Sequence, residues 1–230
     1  MKRALSVALA LAMVVPLAAV LVGLSARASL ASFVSENCYK NQTPDPYHRR
    51  KDALAYASVA KGEGYEWGGG CWNNNNRDDT PGQPNSNGEG PDCSGLVFKA
   101  WELRNGLNDT GFTWYDRIQN VHGAFSSYDF RSPVSSDPFV RLPNKNRSTT
   151  TYMDAFAKNG HVGLISSRVP PGSNTDYIIE AKGDSSGTGE WLESYRYNSA
   201  YVGVKRKNWT PDCHPNCRGP DSPEPGVVVP

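Results

Sequence analysis

The chain has 230 residues and almost no imbalance of charge: 24 lysines and arginines stand against 23 aspartates and glutamates. That near-neutrality excludes the basic surface on which a nucleic-acid partner depends. Acid is missing altogether from residues 1–28, which hold Lys2, Arg3 and Arg27, so their removal takes the net charge from +1 to −2. No internal repeat is present. Cysteine is scarce and odd in number, five in all, so a set of internal disulfides must leave at least one thiol out.

What is present begins with Met1-Lys2-Arg3, followed by a nearly unbroken apolar run from Ala4 to Leu24. A basic start, an apolar stretch and the small-residue pattern Ala26-Arg27-Ala28 predict a secretory signal over residues 1–28. A retained membrane anchor is the alternative, because the run approaches the length that spans a bilayer. Pro16 and the cleavage pattern favour removal, and no cysteine follows the run to carry a lipid. Either way the remainder lies outside the cytoplasm, where disulfides persist. Cys38, Cys71, Cys213 and Cys217 could then form two bridges in three possible pairings, leaving Cys93 free. Oligomeric state is not legible.

Residues 29–47 read as a polar lead-in. Ala53, Leu54, Tyr56, Ala57 and Ala60 recur at helical spacing and predict a helix from His48 to about Lys61, ended by Gly62 and Gly64. Residues 69–91, rich in Gly, Asn, Asp and Pro, predict a loop outside the core. A second helix is expected from Cys93 to about Arg104, with Asp92 as its N-cap and Leu96, Val97, Ala100, Trp101 and Leu103 on its apolar face. Phe112, Trp114, Tyr115 and Ile118 suggest a short helix or turn. Strands are expected at His161–Ser166, Asp176–Ala181 and Ala200–Arg206. Residues 207–230 read as a Pro-rich tail.

The informative residues are Cys93, opening a helix, and His161, opening a strand. A thiol attacks a carbonyl as thiolate, and a helix N-terminus favours negative charge, so a lowered thiol pKa is expected. The backbone N–H groups of Cys93 and Ser94 are placed to meet an oxyanion. His161 would take the proton and pass it on to a leaving amine. An antiparallel hairpin in which residue numbers sum to 341 sets His161 opposite Glu180 and Leu164 opposite Tyr177, with His161 and Glu180 on one face. His48, His122 and His214 are rival bases without a comparable frame. The segment Cys213-His214-Pro215-Asn216-Cys217 has metal-ligand residue types, but zinc needs further ligands at short spacing. A bridge is the favoured use in an exported chain. No metal or cofactor is called for.

Three blocks carry a family resemblance: Gly64-Tyr65-Glu66-Trp67-Gly68-Gly69, Asp92-Cys93-Ser94-Gly95-Leu96-Val97, and Gly160-His161-Val162-Gly163-Leu164-Ile165. In this order they resemble the NlpC/P60 cell-wall cysteine peptidases over about residues 48–206. The resemblance implies an α+β fold with a papain-like core, the nucleophile helix packed on a small antiparallel sheet. It implies hydrolysis of amide bonds in peptidoglycan stem peptides, often between D-γ-glutamyl and a diamino acid, with Cys93 as nucleophile, His161 as base and Glu180 as the third member. It sets Tyr65 beside the thiol and gives Asp92 a substrate amine. The chain departs from the family in having an acid at position 180, a long segment between Trp67 and Asp92 and a long Cys-to-His interval. Only Met153-Asp154-Ala155-Phe156 remains of the segment usual before the histidine strand. No wall-binding repeat accompanies the domain. A CHAP-type amidase and a non-catalytic wall-binding module are the alternatives; neither needs a nucleic acid or, after signal removal, a membrane.

Overall fold

A computed structural model describes residues 47–72, 90–103, 123–168, 175–183 and 185–213. The expected signal segment, most of the lead-in, the interior of the 69–91 loop, the Phe112–Ile118 element, His122, His214, Cys38, Cys217 and most of the tail lie outside the described residues.

Helix α1 runs over Arg50–Val59 and buries Ala53, Tyr56 and Ala57 on the stripe that the sequence marks. It is shorter than expected by about a residue or two at each end, as helix boundaries commonly are. Gly62 follows at φ 96°, and its N–H donates to the Thr188 carbonyl at 2.8 Å. The 69–91 stretch is not loop throughout. Its two ends form strands β1 (Gly70–Cys71) and β2 (Gly90–Pro91), which pair antiparallel and are buried. Helix α2 covers Cys93–Ala100 and stops short of the expected Arg104. A five-residue helix α3, Ser127–Arg131, is closed at its start by a reciprocal Ser126–Asp129 capping box.

The remaining strands are β3 (Phe139–Arg141), β4 (Ala155–Lys158), β5 (His161–Arg168), β6 (Asp176–Gly183), β7 (Gly187–Glu193) and β8 (Val202–Arg206). They make a six-stranded antiparallel sheet in the order β3-β8-β4-β5-β6-β7. The α+β class expected from the sequence is therefore present. Strands β3, β4 and β7 are additions to it, and β8 begins at Val202 rather than Ala200. Ala155, Phe156 and Ala157 are all fully buried, so β4 has no alternation to betray it. Strand β7 contains Gly187, Gly189 and two glutamates, a composition poor in strand formers.

Helix α2 packs on β5 and β6, with Leu96 and Val97 joining Val162, Leu164 and Ile179 in the main core. The edge-to-face contacts of Trp101 with Phe130 and of Phe125 with Phe139 close one end. Phe156, Ile165, Ile178 and Tyr201 form a second, smaller cluster. The first residues of the expected tail belong to the domain: Trp209 packs against the main core, and Thr210 bridges Arg49.

The β5–β6 register differs from the expected one. Leu164 pairs with Ile179 and Ile165 with Ile178, so the numbers sum to 343, and a bulge near Ser166 follows. Leu164 does not face Tyr177, and Glu180 comes opposite Gly163 rather than His161. The slip is even, so every side chain keeps its face. His161 and Glu180 remain on one side of the sheet, as diagonal neighbours.

Candidate active site

Gly68, Gly69, Asp92 and Gly95 lock the nucleophile turn in place. The Asp92 carboxylate accepts from the Gly95 N–H at 2.6 Å and the Ser94 hydroxyl at 2.9 Å through Oδ1, and from the Gly68 N–H at 3.0 Å through Oδ2. The Asp92 N–H donates to the Gly69 carbonyl at 3.0 Å. A Cβ on Gly95 would stand 2.0 Å from that same carbonyl oxygen, so only glycine lets the first turn of α2 meet the Gly68-Gly69 backbone. The first two sequence blocks are thus one structural unit. Asp92 is buried and its carboxylate clamps this turn, beyond the capping role expected of it. Tyr65 sits partly exposed on the segment leading into β1.

Among the described residues Cys93 is the free cysteine, whereas Cys71 and Cys213 are disulfide-bonded. Backbone hydrogen bonds from Val162, Ser94 and Cys93 itself reach the Cys93 thiol and favour its anion. They do not prevail. Burial, and then the Asp92 charge, push the thiol up from 9.0 to about 12. The expected lowering of its pKa is therefore reversed. The helix N-terminus offers only partial charges, while a site 9% exposed withholds the hydration a thiolate needs. At neutral pH the free protein holds a thiol. Alkylation by iodoacetamide should accordingly be slow at pH 7 and still rising beyond pH 10. A rate that levels off below pH 8 would show instead that the thiol is already ionised.

His161 follows the two-residue turn Asn159-Gly160, where Gly160 takes φ 81°. Its Nε2 lies 2.5 Å from Glu180 Oε2. An ionised carboxylate only accepts, so in the neutral imidazole this contact holds the proton on Nε2 and leaves the lone pair on Nδ1. Glu180 is fully buried. Tyr195 donates its hydroxyl to Oε2 at 2.9 Å, and the Lys182 ammonium stands 3.3 Å from Oε1. Gly163 makes the diagonal contact possible. A Cβ there would lie 3.2 Å from Glu180 Oε2 and 2.6 Å from Ile178 Cγ2.

Tyr195 and Tyr201 stack with centroids 4.0 Å apart, and the imidazole meets both edge-on at 6.0 and 6.4 Å. Burial and then Glu180 raise the Tyr195 pKa, so its phenol stays a donor. Sequence reasoning missed Lys182, Tyr195 and Tyr201. Lys182 lies two residues past Glu180 on β6, the tyrosines follow β7, and none of the three carries a motif. His48, by contrast, is engaged by Glu102 at 2.9 Å.

The structure brings His161 and Glu180 into direct contact. It sets the Cys93 thiol against Val162, the residue next to His161, without a Cys93–His161 hydrogen bond among the described residues. The thiol is nonetheless close enough for its charge to be felt at Tyr201. What assembles is a buried thiol at a helix start with backbone donors, beside an imidazole whose far nitrogen is held by a carboxylate. No family model, no curated protein and no solved structure matches the chain.

Proposed function

We propose that this chain is a secreted cysteine peptidase of the NlpC/P60 type, with a papain-like core, that hydrolyses amide bonds in peptidoglycan stem peptides. The observation that carries the reading is the juxtaposition just described: a free thiol at the start of α2, set on β5 beside a histidine that a buried carboxylate orients. His161 Nδ1 takes the thiol proton as Cys93 Sγ adds to the carbonyl carbon. The backbone N–H groups of Cys93 and Ser94 receive the oxyanion. The C–N bond breaks as His161 protonates the leaving amine, and a water that His161 deprotonates then releases the acid from Cys93. Glu180 holds the imidazole in one tautomer and stabilises its cation. Because burial holds the free thiol at about 12, no resting ion pair is needed: the proton passes to His161 Nδ1 as Sγ adds to the carbonyl. Tyr65 and Asp92 belong to the rim and the support of the nucleophile turn.

A non-catalytic wall-binding module on the same fold is the second reading, and burial of the Cys93 thiol is what favours it. Mass spectrometry of purified peptidoglycan separates the two. Wild-type protein should release new stem-peptide fragments, identifying the bond, and Cys93→Ala should release none. Equal release by both proteins would remove Cys93 as nucleophile; release by neither, with binding retained, would support the module.

A further inference from the structure

Outside the thiol, the imidazole opens onto a cleft of about 480 Å³ whose lining includes Lys158, His161, Lys182, Glu193, Tyr195 and Tyr201. Its two ammonium groups are not equivalent. Lys182 is engaged by two carboxylates, with one contact to Glu193 and another to Glu180 at 3.3 Å. Lys158 has no carboxylate partner among the described residues. It is the last residue of β4 and pairs in register with His161, so the two side chains leave the same face of the sheet. It is half-buried, and its ammonium lies 5.2 Å from the Tyr201 ring centroid, a cation–π contact that holds it over the cleft. Lys158 is thus the ammonium of the cleft that no carboxylate contacts among the described residues, and it stands on an aromatic wall beside the base.

Resting on the peptidase reading, in which His161 protonates the leaving amine, we infer that this cleft is the subsite for the leaving residue and that Lys158 selects a free carboxylate on that residue. The ligand class is an amino-acid residue bearing an ionised carboxylate near the scissile amide. A carboxamide of the same shape keeps the packing against Tyr201 but forfeits the charge. A charge-assisted hydrogen bond in a partly buried site distinguishes the two by roughly tenfold or more. The preference should shrink as salt rises, because the site is open to solvent.

Two synthetic stem peptides test this, identical except that the leaving residue carries a free carboxylate in one and a carboxamide in the other. Wild type should prefer the carboxylate by about tenfold or more in kcat/KM, expressed mainly in KM. Lys158→Gln should reduce the preference to about twofold or less, and Lys158→Arg should restore it. Calorimetric binding of both peptides to Cys93→Ala keeps the outcomes separate. Equal affinity for the two peptides overturns the subsite. Carboxylate-dependent affinity without hydrolysis by wild type supports the subsite and overturns the peptidase reading. A preference that survives Lys158→Gln overturns the assignment of Lys158.

Discussion

His161→Ala should lower kcat/KM on stem peptides by roughly 10³- to 10⁴-fold, the range that general acid–base catalysis supplies. Glu180→Ala should cost less, on the order of 10²-fold. The difference follows from their tasks. His161 moves the proton; Glu180, fully buried, fixes the tautomer through Nε2 and offsets the imidazolium charge. In its absence the Tyr195 hydroxyl and the Lys182 ammonium remain next to the ring, and the ammonium opposes protonation. Glu180→Gln should fall between wild type and Glu180→Ala, because the amide oxygen still accepts from Nε2 but brings no charge. Kinetics of the three variants on one peptide decide it. An unchanged rate for Glu180→Ala would break the triad assignment and send the search to another orienter.

The largest effect on stability should come from Arg196→Met. Asp176, at 0% exposure, is held by Arg196 through two contacts at 2.9 and 2.8 Å. Arg196 also donates to Thr150 Oγ1 at 2.8 Å and to the Lys145 carbonyl. Removing the guanidinium leaves the carboxylate with Arg147 at 3.5 Å. Breaking a buried pair from one side costs about 3–5 kcal/mol, which in a domain of this size lowers Tm by roughly 10 °C. The double variant Asp176→Leu with Arg196→Met removes both charges and should recover most of the loss. Thermal unfolding of both proteins checks it, and a single variant within 1 °C of wild type would show that the pair contributes little. Activity should fall with the single variant as well, because Arg196 anchors the turn that brings the Tyr195 hydroxyl to Glu180.

Elements with a strong local pattern were legible. The alanine and tyrosine stripe of α1, the capped start of α2 and the β-branched runs of β5, β6 and β8 all stand where apolar periodicity sets them. Strands β4 and β7 were not legible. The first is too short and too uniformly buried to alternate, and the second is a glycine-containing edge strand that exists because β6 offers it hydrogen bonds. The hairpin register was off by two: the pairs Ser167–Tyr177 and Arg168–Asp176 sum to 344, and the bulge near Ser166 takes out one residue to leave 343 at Ile165 and Leu164, a local irregularity that no apolar pattern announces. The shared face of His161 and Glu180 survived, since side-chain alternation depends only on whether a shift is odd or even.

The sequence by itself determined what is local: a cysteine behind an aspartate cap, glycines where two backbones touch, and a histidine and a glutamate of matching parity on adjacent strands. The tertiary structure alone decided how those groups behave. The ordinary 9.0 of the Cys93 thiol moves to about 12 because helix and sheet together exclude water from it. Glu180 acquires Tyr195 and Lys182, and among the described residues Lys158 is left without a carboxylate. Each of these depends on desolvation and Coulomb interactions between residues far apart in the chain, and no spacing along one segment encodes them.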